Sequence, residues 1–174
     1  MTKGEARALY LRYLGERTVN GSVRADLDLN DVFNGVLDTA LTFVAASFPD
    51  RVVLTVDKDA LTIDMPADMA YIIKTLDEYG NPVAYKRVAY QFVFAGPCEV
   101  VYAKRPDTIA VEAPDTTVID LDDRYAKLIP LKCAIEAALG LEEYAYKVQA
   151  LTQSYNTLAE ALDDNNMPTY RRVY

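Results

Sequence analysis

A sustained helical stripe near the C-terminal end constrains the fold more than any other feature of the sequence. From residue 141 onward apolar side chains recur every three or four residues, at Leu141, Tyr144, Val148, Leu151, Tyr155, Leu158 and Leu162. This spacing places them on one face of an α-helix. The segment before it keeps the same rhythm at Leu121, Tyr125, Leu128, Ile135 and Leu139, with Lys132 interrupting. The pattern predicts an antiparallel helical hairpin over residues 120–162.

The turn and one irregularity of this hairpin are also predicted locally. Gly140 is a candidate left-handed residue at a helix end, and Glu142 and Glu143 suit the first turn of the next helix, because carboxylates interact favourably with its dipole. Pro130 lies inside the first helical segment, where proline removes a backbone hydrogen bond. We therefore expect either a kink at Pro130 or two short abutting helices.

Two further helices are predicted before residue 50. Thr2 and Glu5 have the spacing of a capping box, and the apolar face that follows ends at Gly15. A second, very apolar face runs from Phe33 to Phe48 and stops at Pro49. The polar run at residues 28–31 offers residues that can cap its N terminus.

The middle third of the chain has the period of β-strands. Three hairpins are predicted, pairing residues 52–56 with 61–65, 71–76 with 83–88, and 92–94 with 99–103. Their turns contain Asp57-Lys58-Asp59, Gly80-Asn81-Pro82 and Gly96-Pro97. Together they predict an antiparallel, meandering sheet whose edges are kept polar by Lys86, Arg87, Lys104 and Arg105.

The predicted fold class is therefore α+β, a helical bundle with an inserted antiparallel β-region. Its length of 174 residues suits one core. We expect a single domain over residues 1–162, with helices in 1–49 and 120–162 and the β-insertion at 51–111. Residues 163–174 are expected to form a C-terminal extended arm. No apolar run is long enough to span a bilayer, and the first residues lack a signal-peptide core, so we expect cytoplasmic synthesis.

Composition argues against several classes of chemistry. The chain contains no histidine, which removes the usual nucleophile–histidine pairs and common zinc sites. Its formal net charge of −8 opposes tight binding to nucleic acid. Cys98 and Cys133 lack metal-ligand spacing and are expected to be buried reduced thiols.

The acidic clusters do not match a metal-binding pattern. Asp26, Asp28 and Asn30 begin like a calcium loop, but its sixth place is aspartate and its twelfth is leucine. Asp120, Asp122 and Asp123 fail in the same way and are expected to stabilise a helix start. We therefore predict no catalytic, cofactor or metal-binding residue in these clusters, while chemistry that uses carboxylates alone stays open at this point.

The C-terminal segment is the candidate binding site. Polar residues 163–166 end the last helix, and the segment after them carries Met167, Pro168, Tyr170, Arg171, Arg172 and Tyr174. Tyrosine and arginine are enriched at protein interfaces. The segment is interpreted as an arm that a partner orders, and the alternative is a frayed terminus.

Several phrases of the sequence resemble the head-tail connector (adaptor or head completion) proteins of tailed bacteriophages. They follow an N-terminal helix pair and comprise Asp64-Met65-Pro66-Ala67-Asp68, the strand Val100-Val101-Tyr102-Ala103-Lys104-Arg105-Pro106, and the run from Ile119 to Lys132 that leads into Ala134 and Ala137-Ala138. The resemblance covers most of the chain.

This resemblance implies a structural virion component without enzymatic activity. Such proteins form a ring, usually dodecameric, at the head-tail junction beneath the portal, where viral DNA passes during genome ejection. The implied partners are other copies, the portal protein and the next tail or connector protein, without a membrane, a cofactor or specific DNA binding. Residues 163–174 match the arm that commonly reaches the portal or an adjacent subunit.

Two alternatives from other classes stay open at the level of the sequence. One is a soluble regulatory protein that binds another protein through a helical face. The other is a small enzyme that uses carboxylates or tyrosines, although the sequence offers no convergent acid and base set. Assembly into rings would distinguish the connector from both.

Overall fold

The computed structural model describes residues 1–16, 29–163 and 171–172. The chain divides into two compact units. A helical unit comprises Met1–Phe48 and Pro106–Asn166, and a β unit comprises Pro49–Arg105 and Met167–Tyr174. The architecture is α+β, as predicted, with an N-terminal helix pair, a C-terminal packed pair, and two small antiparallel sheets between them in sequence.

The helical unit contains five α-helices and a 3₁₀ helix in its described residues. The α-helices are α1 (Lys3–Leu14), α2 (Leu29–Ser47), α3 (Asp123–Ala126), α4 (Leu128–Gly140) and α5 (Val148–Asp163), and the 3₁₀ helix is Glu142–Lys147. α4 is buried on most of its surface and packs against α1, α2 and α5. The helical unit therefore has one core, built around α4.

The ends of α1 confirm the predicted local signals. The Thr2 hydroxyl accepts a hydrogen bond from the Glu5 backbone N–H, and the Glu5 carboxylate accepts one from the Thr2 N–H, which completes the capping box. Gly15 ends the helix with φ of 80°, a left-handed conformation that glycine adopts at little cost.

The stripe of α5 also lies where the sequence predicts. Tyr144 and Leu151 are buried, and the other five members of the stripe are half-buried against the core of the helical unit. The N-terminal boundary of α5 differs, because Glu142 and Glu143 begin the 3₁₀ helix instead. Gly140 is not left-handed: it is the last residue of α4, and Leu141 ends the helix in an extended conformation with φ of −118°.

The region around Pro130 forms two abutting helices rather than one kinked helix. α3 ends at Ala126, α4 begins at Leu128, and Lys127 flanks both. Pro130 is the third residue of α4. Backbone N–H groups in the first turn of a helix have no partner within that helix, so proline there removes no internal bond.

The β unit contains two antiparallel sheets of three strands each. The first has the order β3 (Met69–Leu76), β6 (Cys98–Lys104), β1 (Arg51–Val56), and the second has the order β2 (Thr62–Asp64), β5 (Gln91–Phe94), β4 (Tyr85–Val88). A two-residue strand, β7 (Arg171–Arg172), adds to the first sheet beside β1. The sheets share a core that includes Val56, Val100 and Tyr102 from one and Phe92 and Phe94 from the other.

The predicted strands exist, but the three predicted hairpins and the meander are wrong. β1 pairs with β6 and not with β2; β3 pairs with β6 and not with β4; β5 pairs with β2 and β4 and not with β6. The second predicted hairpin is present only at its turn, where Leu76 bridges Pro82 and Thr75 exchanges hydrogen bonds with Val83 at 3.0 and 2.6 Å. The buried residues explain the difference. Residues from both sheets share one core, so each sheet covers the apolar face of the other. A single meandering sheet would leave its apolar face exposed to water.

Candidate functional site

The outer edge of β1 is the place where the structure brings the predicted arm into contact with the fold. Arg171 and Arg172 run parallel to β1, with Arg171 opposite Val52 and Arg172 opposite Val53. On its other side β1 pairs antiparallel with β6 over its whole length, from Arg51 opposite Ala103 to Val56 opposite Cys98. The C-terminal segment thus extends an existing sheet by one short strand.

The residues of β1 explain why this edge is available. Val52, Leu54 and Val56 alternate along the strand and all contact the core of the β unit, while Thr55 is exposed. Side chains therefore hold the strand in place, and backbone N–H and C=O groups at its free edge are left for another strand. In the described part of the chain, β7 covers that edge only at Val52 and Val53.

The structure describes only two of the six residues predicted to bind a partner. The structure describes the backbone of Arg171 and Arg172, whereas Met167, Pro168, Tyr170 and Tyr174 lie outside the described residues. The two arginines pair with β1 of their own chain. This differs from the expectation of an arm that is ordered only by a partner, and the reason is that β1 offers an open edge within the chain.

The acidic cluster before α4 has structural contacts. Asp122 caps α3 by accepting a hydrogen bond from the Arg124 backbone N–H at 2.9 Å, and it forms an ion pair with the Arg124 guanidinium. Hydrogen bonding from Arg124 lowers the pKa of Asp122 below its usual value. Asp123 accepts a hydrogen bond from the amino group of Met1 at 2.7 Å, and Asp120 accepts a long one from the Asp107 backbone N–H.

Asp122 and Asp123 thus lie at a helix start, as predicted, whereas Asp120 contacts the connecting segment. Asp26 and Asp28 lie outside the described residues. Within residues 1–16, 29–163 and 171–172, no group of three or more acidic or cysteine side chains could hold a metal ion.

Both cysteines are free and buried, as predicted from their apolar surroundings. Burial raises the pKa of the Cys133 thiol well above its ordinary value and raises that of Cys98 in the same direction. A thiol with a raised pKa is a poor nucleophile at neutral pH, because the thiolate is the reactive form. The geometry gives neither thiol a reactive role.

Sequence reasoning missed two features of the β unit. One is the open edge of β1, which no residue pattern marks because it depends on which strands pair. The other is the hairpin of β4 and β5, whose two-residue connection Ala89-Tyr90 contains none of the usual turn residues. A strand pattern on both sides of Ala89-Tyr90 is the only signal that could have found it.

Comparison with known proteins gives no assignment: no family model matches the sequence, and no curated protein matches it. None of the helices in the described part of the chain is long and apolar enough to cross a membrane.

Proposed function

We propose that this chain is a head-tail connector of a tailed bacteriophage, a structural virion protein that forms a ring below the portal. The ring joins the DNA-filled capsid to the tail. Its partners are other copies of the chain, the portal protein and the next tail or connector protein. DNA passes through the ring without specific binding, which the net charge of −8 favours by repelling phosphate.

The observation that carries the proposal is the nested arrangement of the two units. Residues from both ends of the sequence, in α1, α2, α4 and α5, share one core. Residues 49–105 form a separate sheet core between them in sequence. A helical bundle with a β-insertion is the fold that the resemblance to connector proteins implies.

The C-terminal segment supplies the proposed binding arm. Its pairing with β1 involves two residues and leaves the rest of that edge without a strand among the described residues. An edge of this kind accepts an extended segment by main-chain hydrogen bonds. In the assembled ring the residues Met167, Pro168, Tyr170, Arg171, Arg172 and Tyr174 contact the portal or an adjacent subunit.

Imaging of the purified protein tests the proposal. Negative-stain microscopy and sedimentation velocity should be carried out on the protein alone and mixed with the portal protein encoded in the same phage genome. We expect rings of uniform subunit number that stack on one end of the portal. A protein that stays monomeric at high concentration and leaves the portal unoccupied would contradict the proposal.

One observation favours a second candidate, a regulatory module that binds another protein through a helix. The outward face of α5 carries mostly uncharged polar side chains. A shallow groove of about 500 Å³ runs along Gln149, Thr152, Gln153, Asn156 and Thr157, with Glu160 as its single charged residue. Depletion of charge is typical of the centre of a protein interface. This candidate predicts a complex of fixed stoichiometry with a partner and no ring, so the same imaging separates the two.

A further inference from the structure

The hairpin of β4 and β5 ends in a surface that the fold of the β unit does not use. We define the hairpin tip as Lys86, Arg87, Val88 and Tyr90. Tyr90 is 77% exposed and Val88 is 50% exposed, and the two cationic residues are exposed beside them. The tip thus combines an exposed tyrosine with an exposed arginine, two residue types that are enriched at protein interfaces.

The backbone of the tip holds Tyr90 in this position at a cost. Ala89 has φ of 53°, a left-handed conformation that is unfavourable for a residue with a Cβ atom. The Tyr90 carbonyl accepts a hydrogen bond from the Met65 backbone N–H at 2.8 Å, and the Ala89 carbonyl accepts one from the Arg87 side chain at 3.1 Å. These bonds fix the turn while the Tyr90 ring remains free to contact another molecule.

The opposite end of the same hairpin borders an acidic cleft of about 910 Å³. We define the acidic cleft by its charged residues, Asp57, Lys58, Asp77, Glu78 and Glu99, and by apolar neighbours that include Val56, Val83, Pro97 and Cys98. Its volume lies within the range of pockets that hold ligands. Four carboxylates against one lysine give the cleft a negative charge, and its apolar wall suits a side chain such as tyrosine.

The carboxylate of Asp77 is held in its charged form. It accepts hydrogen bonds from the backbone N–H groups of Asn81 and Tyr79 at 2.8 and 2.9 Å, and from the Asn81 side chain at 3.1 Å. The bonds from Asn81 are the main cause of a lowered pKa for this carboxyl. The negative charge of Asp77 therefore persists well below neutral pH.

The end of the tip, at Tyr90, cannot enter the cleft of its own chain. Ala89 and Tyr90 precede β5, whereas the cleft residues Ala95, Gly96 and Pro97 follow it. The four residues of β5 separate Tyr90 from Ala95 by roughly 13 Å, whereas Lys86 in β4 is only two residues from the cleft residue Ala84. Surfaces that are complementary and lie at opposite ends of one rigid element make head-to-tail contacts, which produce rings when the rotation closes.

We propose that the hairpin tip of one copy inserts into the acidic cleft of the next copy. Lys86 and Arg87 project to opposite faces of β4, so each meets carboxylates of the cleft on its own side of the inserted hairpin, and Tyr90 contacts the apolar wall. A second copy is the occupant because the chain carries both halves of the contact, a basic aromatic tip and an acidic cleft, in a protein with a net charge of −8. This inference deepens the proposed function, on which it rests, by assigning the β unit a role in ring formation.

Reciprocal charge reversal tests the contact. The tip variant is Lys86→Glu with Arg87→Glu, the cleft variant is Asp57→Lys with Glu78→Lys, and the control Arg12→Glu with Lys127→Glu reverses two exposed charges of the helical unit. Thermal melts confirm that each variant folds. Association is measured by sedimentation velocity and negative-stain imaging, with the portal present if the wild type requires it.

We expect the tip variant and the cleft variant each to associate at least about tenfold more weakly than the wild type, because like charges then meet at the contact. An equimolar mixture of the two variants should recover association, since every contact between unlike copies is again complementary. The control should assemble like the wild type. Added salt should weaken wild-type association and narrow all of these differences.

The outcomes separate this inference from the proposed function. If both variants form rings as well as the wild type, or if the mixture fails to recover, the tip and the cleft do not meet and the ring is built by other surfaces. If the wild type associates through the tip and the cleft but forms open fibres that never join the portal, the contact stands and the connector function fails. A wild type that stays monomeric in every condition overturns both.

Discussion

Tyr102 links the chemistry of one residue to the stability of the β unit. Its side chain is only 3% exposed, and its hydroxyl donates a hydrogen bond to Asp68 at 3.2 Å. Burial is the main cause that raises the pKa of Tyr102 to about 12, and the negative charge of Asp68 is the second cause. The folded protein therefore keeps a proton that the unfolded chain loses near the ordinary pKa of 10.

This shift predicts a loss of stability at alkaline pH. Below pH 10 both the folded and the unfolded state hold the proton, so Tyr102 adds no pH dependence to stability. Between about pH 10 and 12 only the unfolded state releases the proton. The free energy of unfolding therefore falls by roughly 2 kcal/mol over this range. Urea melts of wild type and Tyr102→Phe should differ by a constant amount from pH 7 to 9. The difference should then shrink toward pH 11.5. A difference that stays constant over the whole range would show that Tyr102 does not titrate with folding.

Ala89 allows a second test at the scale of one residue. Its φ of 53° is unfavourable for alanine and easy for glycine, so Ala89→Gly should raise the free energy of unfolding by about 0.5 to 1 kcal/mol. The matched control is Ala70→Gly in β3, where φ is not positive and glycine should destabilise by a similar amount. Urea unfolding monitored by tyrosine fluorescence gives both values. Equal losses in the two variants would mean that the turn at Ala89 is not strained.

At the scale of elements, the helices could be predicted more completely than the sheets. A helix is specified by neighbours in sequence, so the capping box at Thr2, the stop at Gly15 and the stripe of α5 could all be predicted from local spacing. The exceptions are the turn at Gly140 and the late start of α5. There the chain reverses through an extended Leu141 and a 3₁₀ helix that buries Tyr144, a solution that depends on packing against the core.

Strand pairing could not be predicted in the same way, because it depends on contacts between distant residues. Gly80-Asn81-Pro82 and Gly96-Pro97 are strong turn signals, yet each lies where the chain passes from one sheet to the other. The tightest hairpin uses Ala89-Tyr90, which carries no such signal. Alternation of apolar residues specifies which face of a strand is buried, but several partners can bury the same face.

The seam of α5 supplies a test at the scale of an element. Leu151 is 6% exposed and belongs to the core of the helical unit, so Leu151→Ala should leave a cavity and lower the free energy of unfolding by about 2 to 5 kcal/mol. Gln149→Ala and Gln153→Ala are controls on the exposed side of the same helix and should change it by about 0.5 kcal/mol or less. Urea melts followed by circular dichroism measure all three. Similar effects at the three positions would contradict the register of α5.

For the whole molecule, the candidate site was only half predictable. The abundance of tyrosine and arginine after residue 166 marks the arm in the sequence. Its partner within the chain does not follow from any pattern, because β7 pairs in parallel with β1 across more than 100 residues of intervening sequence. Which edge of a sheet stays open is a property of the complete fold, and only the strand order of the β unit reveals it.

The arm gives the last prediction. Deleting residues 166–174 removes a two-residue strand from the edge of a sheet. This loss should lower the free energy of unfolding by only about 1 kcal/mol, because each backbone hydrogen bond makes a small net contribution to stability. The thermal midpoint of the monomer should therefore change little, while ring formation or attachment to the portal should weaken strongly.

If the arm is steered by charge, Arg171→Glu with Arg172→Glu should slow assembly more than Tyr174→Ala, and added salt should narrow the difference in assembly rate between these variants. Sedimentation and imaging of the truncated protein with the portal provide the measurement. Normal occupancy of the portal by the truncated protein would show that the segment is not needed for assembly. A large drop in the thermal midpoint of the truncated protein would instead show that the segment belongs to the core of its own chain.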